Sequence, residues 1–199
     1  MTFRSALLAS VLAVLAALPA QAEKIPLSAI NAYFNGLSAA ATEFTQVNAD
    51  GSVSTGVIKM QRPGRMRFEY APPDTTLVLA SGGQLAIFDA KSNQPPEQYP
   101  LARTPLGLIL ARQVDLSRSR MVVAHVELDG TTRILAQDPE HPDYGTIELY
   151  FTDKPVQLRQ WVITDDMGAQ TTVILGDLKP APSFAPSTFS ITAEVDRRK

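Results

Sequence analysis

Apolar and polar residues alternate over much of the chain, and the clearest alternation flanks Arg62-Pro63-Gly64. Before that turn Gly56, Ile58 and Met60 fall on one face and Val57, Lys59 and Gln61 on the other; after it Met66, Phe68 and Tyr70 oppose Arg65, Arg67 and Glu69. A period of two marks a half-buried strand. Residues 56–70 therefore predict an antiparallel hairpin, apolar inside and polar outside. Pro63 presets φ for a turn, and Gly64 accepts a positive φ at no steric cost. Arg62 then sits at the lip of the turn, beside whatever the apolar face encloses.

The same rhythm recurs at 42–48, 52–61, 75–81, 84–89, 121–128, 131–137, 146–152, 156–164 and 170–177, with a last strand expected at 187–192. About ten strands joined by short turns predict a mainly β chain with one meandering antiparallel sheet, large enough to curl. Alternation nominates Met66, Phe68, Val78, Ile87, Val123, Leu135, Leu149, Phe151 and Val162 as inward-facing. The polar, proline-rich run 91–100 predicts a loop.

Two segments break the period of two. Leu27, Ile30, Tyr33, Phe34 and Leu37 recur at helical spacing, with Ser28 placed to cap and Gly36 near the end. Thr104 and Pro105 form a good helix start, followed by Leu106, Leu108, Ile109 and Leu110. A short helix that apolar must lie against an apolar surface.

Composition narrows the class. A chain of 199 residues, 45% hydrophobic and 19% charged, suits one domain with a sizeable core. A formal charge of −2 argues against a nucleic-acid partner. Residues 1–22 have the form of a secretory signal: a basic start through Arg4, an apolar run over 6–18, and Ala20-Gln21-Ala22 as the cleavage site. An exported mature domain of residues 23–199 is expected. The chain has no cysteine, so neither a lipid-bearing cysteine nor a disulfide can form.

Catalytic chemistry finds no foothold. His125 and Glu127 share a strand face but supply two ligands where zinc wants three or four. His141 lies in an acidic turn, Asp138 to Asp143, that lacks the spacing of an EF-hand loop. Adjacent Asp165 and Asp166 point to opposite sides, and no serine occupies a nucleophile elbow. No enzyme activity, metal or cofactor is expected. Arg112, Arg118, Arg120 and the terminal Arg197-Arg198-Lys199 read as solvated charges, with docking to an acidic partner as the alternative.

The run G-V-I-K-M-Q-R-P-G-R-M-R-F-E-Y-A-P-P, then L-V-L-A-S-G-G with Phe88-Asp89, and T-P-L-G-L-I-L-A-R resemble the periplasmic outer-membrane lipoprotein carriers of the LolA type. The resemblance implies an unclosed antiparallel half-barrel of about ten to eleven strands whose hydrophobic concavity is covered by short lid helices. It implies a chaperone that takes acylated lipoproteins from an inner-membrane ABC transporter and delivers them to an outer-membrane acceptor or to the outer membrane itself. It casts Arg62 as a lid latch bonded to main-chain groups of the covering helices, Met66 and Phe68 as cavity wall, and Leu106, Leu108, Ile109 and Leu110 as the lid. A monomer is expected. Phe68 stands where the family has a tryptophan, and Gly107 predicts a lid helix weakened by ~1 kcal/mol relative to alanine. The alternative reading is a periplasmic lipid- or lipoprotein-binding sensor on the same half-barrel.

Overall fold

The alternating segments assemble into a single antiparallel sheet with helices on both of its faces. A computed structural model describes residues 23–89, 92, 94–104 and 106–198, so residues 1–22, where a secretory signal is expected, Pro105 and Lys199 lie outside the described residues. The elements are α1 (Leu27–Gly36), β1 (Ala39–Val47), β2 (Val53–Gln61), β3 (Arg65–Tyr70), β4 (Leu77–Ser81), β5 (Gln84–Phe88), β6 (Glu97–Pro100), α2 (Leu106–Leu110), β7 (Val122–Leu128), β8 (Thr131–Gln137), β9 (Thr146–Thr152), β10 (Gln157–Thr164), β11 (Gln170–Leu175), β12 (Lys179–Pro180) and α3 (Ile191–Arg197). Short 3-10 turns occupy Leu101–Arg103, Pro142–Tyr144 and Pro186–Phe189.

The strand order is β6-β5-β4-β3-β2-β1-β11-β10-β9-β8-β7, with β12 added to β1. The edge strands β6 and β7 do not pair, so the sheet stays open. It is nonetheless strongly rolled. Phe68 on β3 and Trp161 on β10 are separated by β2, β1 and β11, yet their ring centroids are 6.1 Å apart. Strands lie ~4.8 Å apart in a sheet, so a flat one would hold those rings on the order of 19 Å from each other.

The central hairpin has the expected register, with Ile58 opposite Phe68 and Met60 opposite Met66. Gly64 takes φ +71° in its turn. The inner face of the sheet, with α1 and α2 against it, forms the main core. On the outer face, Leu77, Leu79, Ala86 and Phe88 pack under Ile191 and Val195 of α3.

Three local expectations change. Residues 97–100 form edge strand β6 paired with β5, because Leu85 and Ile87 leave a ladder edge that an extended segment satisfies. The C-terminal segment is a 3-10 turn and α3 instead of a strand: the Ser190 hydroxyl accepts the Ala193 amide at 3.1 Å and caps the helix. Helix α1 begins one residue before Ser28, so Pro26 holds the cap position and Ser28 lies inside the helix. The polar face of β3 is also covered where α3 crosses it. Arg67 is only 9% exposed. Its guanidinium reaches Glu69 at 2.6 Å and Glu194 of α3 at 3.4 Å.

Candidate functional site: an apolar interior under a two-helix lid

The concave face is apolar because one side of each strand contributes to it in turn. Met66 and Phe68 from β3, Leu149 and Phe151 from β9, and Trp161 from β10 are all buried there. Val78 and Ile87 are paired with each other on the same face, next to Phe68, and are half-buried. Aromatic edges tie the wall to its cover, with Phe34 of α1 set edge-on to Phe151 at 5.8 Å and Tyr33 to the same ring at 6.4 Å. Of the residues expected to form a lid, Leu106, Ile109 and Leu110 are buried against this interior and Leu108 is half-buried at its margin. The space left between Phe34, Met66, Ile109 and Trp161 is a cavity of about 20 Å³, room for roughly one water molecule. The interior is shut and filled by its own side chains.

Three inward expectations fail, each for a physical reason. Val123 is 53% exposed, because a bulge between Val122 and Ala124 inserts an extra residue and turns Val123 outward. Leu135 faces out opposite Glu148: Arg133 must reach water, and the period of two then sends Leu135 the same way and Ile134 inward. Val162 also pairs with Glu148 on the outer face. A bulge between Leu158 and Gln160 puts Leu158, Trp161 and Ile163 inward where simple alternation would have put 158, 160 and 162.

Arg62, expected to latch the lid, bonds to the ends of both helices. One guanidinium nitrogen donates to the Phe34 carbonyl; the other donates to the Ala111 carbonyl at 2.6 Å and to the Asn35 side chain at 3.2 Å. Phe34 lies in the last turn of α1 and Ala111 directly follows α2. Helix C-termini present carbonyls without intrahelical partners and a partial negative charge, which suits a cation. A single side chain thus caps both helices and ties them to the β2–β3 turn. The Gly64 amide adds a bond to the Leu110 carbonyl at 2.9 Å. Burial lowers the Arg62 pKa from its usual value, though an arginine remains charged throughout the physiological range.

A second fastening was not foreseen from the sequence. Asn35 donates to the Val114 carbonyl and accepts the Val114 amide, both at 2.9 Å, while Asn31 accepts the Leu116 amide at 2.9 Å. The two asparagines, one turn apart on α1, pin the chain that follows α2. Their signal was present: asparagine is a poor residue for a helix interior and tends to bond backbone groups. Gly107 has a role opposite to the expected loosening. A Cβ there would lie 2.6 Å from the Leu101 carbonyl oxygen, so glycine lets the 3-10 turn pack directly on α2.

The candidate ligand groups are otherwise engaged. A ring nitrogen of His125 is 2.9 Å from the Ile25 carbonyl oxygen, Glu127 accepts the Gly130 amide at 2.8 Å, and His141 stacks on Tyr144 with centroids 4.7 Å apart. Arg197 and Arg198 bond Glu194 at 2.6 and 3.0 Å.

An open sheet rolled around an apolar interior, and closed by two helices that one arginine fastens, defines a lidded β half-barrel. The chain belongs to the LolA family of outer-membrane lipoprotein carrier proteins, whose family model matches residues 35–192. The outer-membrane lipoprotein carrier protein of Methylococcus capsulatus is 31% identical over 180 residues, covering 86% of each chain. That of Methylobacillus flagellatus is 25% identical over 168 residues, covering 80% of this chain and 81% of its own. Among solved structures, a LolA superfamily protein from Nitrosomonas europaea superposes with a TM-score of 0.43 at 9% identity, covering 83% of this chain and 98% of that one.

Proposed function

We propose that the protein is a periplasmic carrier that receives acylated lipoproteins from an inner-membrane ABC transporter. It holds their acyl chains in the apolar interior and delivers them to an outer-membrane acceptor or to the outer membrane itself. The observation that carries this reading is the Arg62 fastening: a shut interior lined by apolar side chains, held closed by a few polar bonds at its lip. An acyl chain of a dozen carbons costs on the order of 10 kcal/mol to expose to water, at ~0.8 kcal/mol per methylene, so a carrier must enclose it. The carrier works by differential affinity: it opens to a source that binds cargo less tightly and yields to an acceptor that binds it more tightly. No covalent step is needed.

The test adds the purified protein to spheroplasts and identifies by mass spectrometry what returns with it in the supernatant. Stoichiometric acylated lipoprotein is the expected result. Recovery of free phospholipid alone, while a known carrier succeeds in parallel, would overturn the reading. Arg62→Leu should still take up cargo but deliver it poorly to outer-membrane acceptors, since the closed empty state is what release restores. Normal delivery by that variant would remove Arg62 from the mechanism.

A further inference from the structure

The chain that covers the interior, residues 106–121, has two chemically opposed sides. Leu106, Ile109 and Leu110 face inward and are buried. Arg112, Arg118 and Arg120 are exposed on the strap that continues from them. The segment holds three arginines and one acidic residue, Asp115, although the whole chain is −2. Arg118 lies 3.5 Å from Asp115 with its side chain 90% exposed, and among the described residues Arg112 and Arg120 have no carboxylate partner. This segment therefore carries net positive charge on a molecule whose remainder is net negative, with exposed arginines and buried leucine and isoleucine on one stretch of chain.

We propose that this strap docks on anionic phospholipid headgroups and that docking lifts the lid; the proposal rests on the carrier reading above. A segment with arginines on one side and aliphatic side chains on the other has the composition of an interfacial membrane element. A bilayer supplies partners for both sides: phosphates for Arg112, Arg118 and Arg120, and the acyl boundary for Leu106, Ile109 and Leu110 once they leave the interior. An acidic protein surface satisfies the arginines alone. The membrane binds the open state better than the closed one, and that difference is what can shift a two-state cover. The carrier then opens where it must load or unload and stays shut between.

Trp161 is the sole tryptophan and lines the same cavity as Ile109, so its emission reports opening. The experiment titrates the protein, purified from a periplasmic fraction, with phosphatidylcholine vesicles and with equimolar phosphatidylcholine–phosphatidylglycerol vesicles. Expected is a gain on the order of 30-fold in affinity for the anionic vesicles, from a net two charges near the surface. The gain should vanish in high salt and be accompanied by a change in Trp161 emission. The variant Arg112→Gln, Arg118→Gln, Arg120→Gln, with an unchanged circular dichroism spectrum, should lose the gain. Equal affinity for both vesicles, a gain that the variant retains, or binding without a change at Trp161 would each overturn the proposal. The spheroplast assay on the same preparations separates the two readings: lipoprotein recovery without vesicle binding leaves the carrier standing and removes the membrane-docked lid. If the variant also fails to release lipoprotein in that case, the strap serves an acidic protein partner instead.

Discussion

Replacing Arg62 by leucine isolates what the fastening contributes. The guanidinium donates to two main-chain carbonyls, of Phe34 and Ala111, and to the Asn35 side chain. Hydrogen bonds from a charged donor contribute ~1.5–3 kcal/mol each. Arg62 is half-buried, and water replaces part of what is lost, so the lower end applies to the two main-chain bonds. The closed cover should weaken by about 3 kcal/mol, which at ~1.4 kcal/mol per decade is a factor on the order of 100 in the opening equilibrium. The bonds of Asn31, Asn35 and Gly64 remain, as does the burial of Leu106, Ile109 and Leu110, so the lid still forms.

Amide hydrogen exchange reads this locally. The amides of Gly64, Val114 and Leu116 bond to Leu110, Asn35 and Asn31, so each loses its acceptor when α2 and the chain after it part from α1 and the β2–β3 turn. In the leucine variant these three should exchange on the order of 100-fold faster, while ladder amides of β8 to β10 such as Leu149 keep their protection. Uniform acceleration across the sheet would mean that Arg62 supports global stability instead of the lid. No acceleration at the three amides would mean that it fastens nothing. The same arithmetic bounds the effect on cargo: affinity rises by up to that factor, and release slows accordingly.

Gly107→Ala should lower the melting temperature despite the gain of ~1 kcal/mol in helix propensity, because the new methyl meets the Leu101 carbonyl oxygen at 2.6 Å; an unchanged or raised value would show that the 3-10 turn yields freely. Glu194→Ala leaves the buried Arg67 without its partner on α3 and should cost on the order of 3 kcal/mol in urea denaturation, with exchange at Gly64, Val114 and Leu116 no faster than the global loss requires. Burial pushes the Glu69 carboxyl up, but hydrogen bonds from Lys59 and Arg67, and their charges, outweigh it and hold its pKa below the usual value. Its contribution is therefore complete above the unfolded-state pKa of ~4.3 and lost as pH falls through the lower folded value. The urea midpoint should fall less steeply with acidification in Glu69→Gln than in the parent chain, and parallel curves would refute the assignment.

The sequence revealed strands most clearly where side chains alternate without interruption. The 56–70 hairpin and β9 lie where their patterns put them, since a one-residue slip would expose a whole apolar face. Val123 and Val162 were misplaced because a bulge leaves no mark in the pattern of polarity and yet reverses the face of everything beyond it. Leu135 was legible in hindsight from Arg133, two residues away. The Arg62 turn was legible as a turn, but its bonds to Phe34 and Ala111 join segments 28 and 49 residues distant, which no local pattern encodes. Strand β6 and helix α3 were hidden for a related reason: one is extended because a neighbouring ladder edge needs partners, and the other is helical because Ser190 caps it against the outer face.

The unpaired rims at β6 and β7 set the capacity of the interior. In a closed barrel, strand number and shear fix the radius, so the enclosed volume can change only by breaking the ladder. Here the sheet has two free margins. It can uncoil and widen with every strand pair intact, and the cost of admitting a bulkier guest falls on twist and on the cover. An open margin is thus a way to change the enclosed volume without giving up a ladder hydrogen bond.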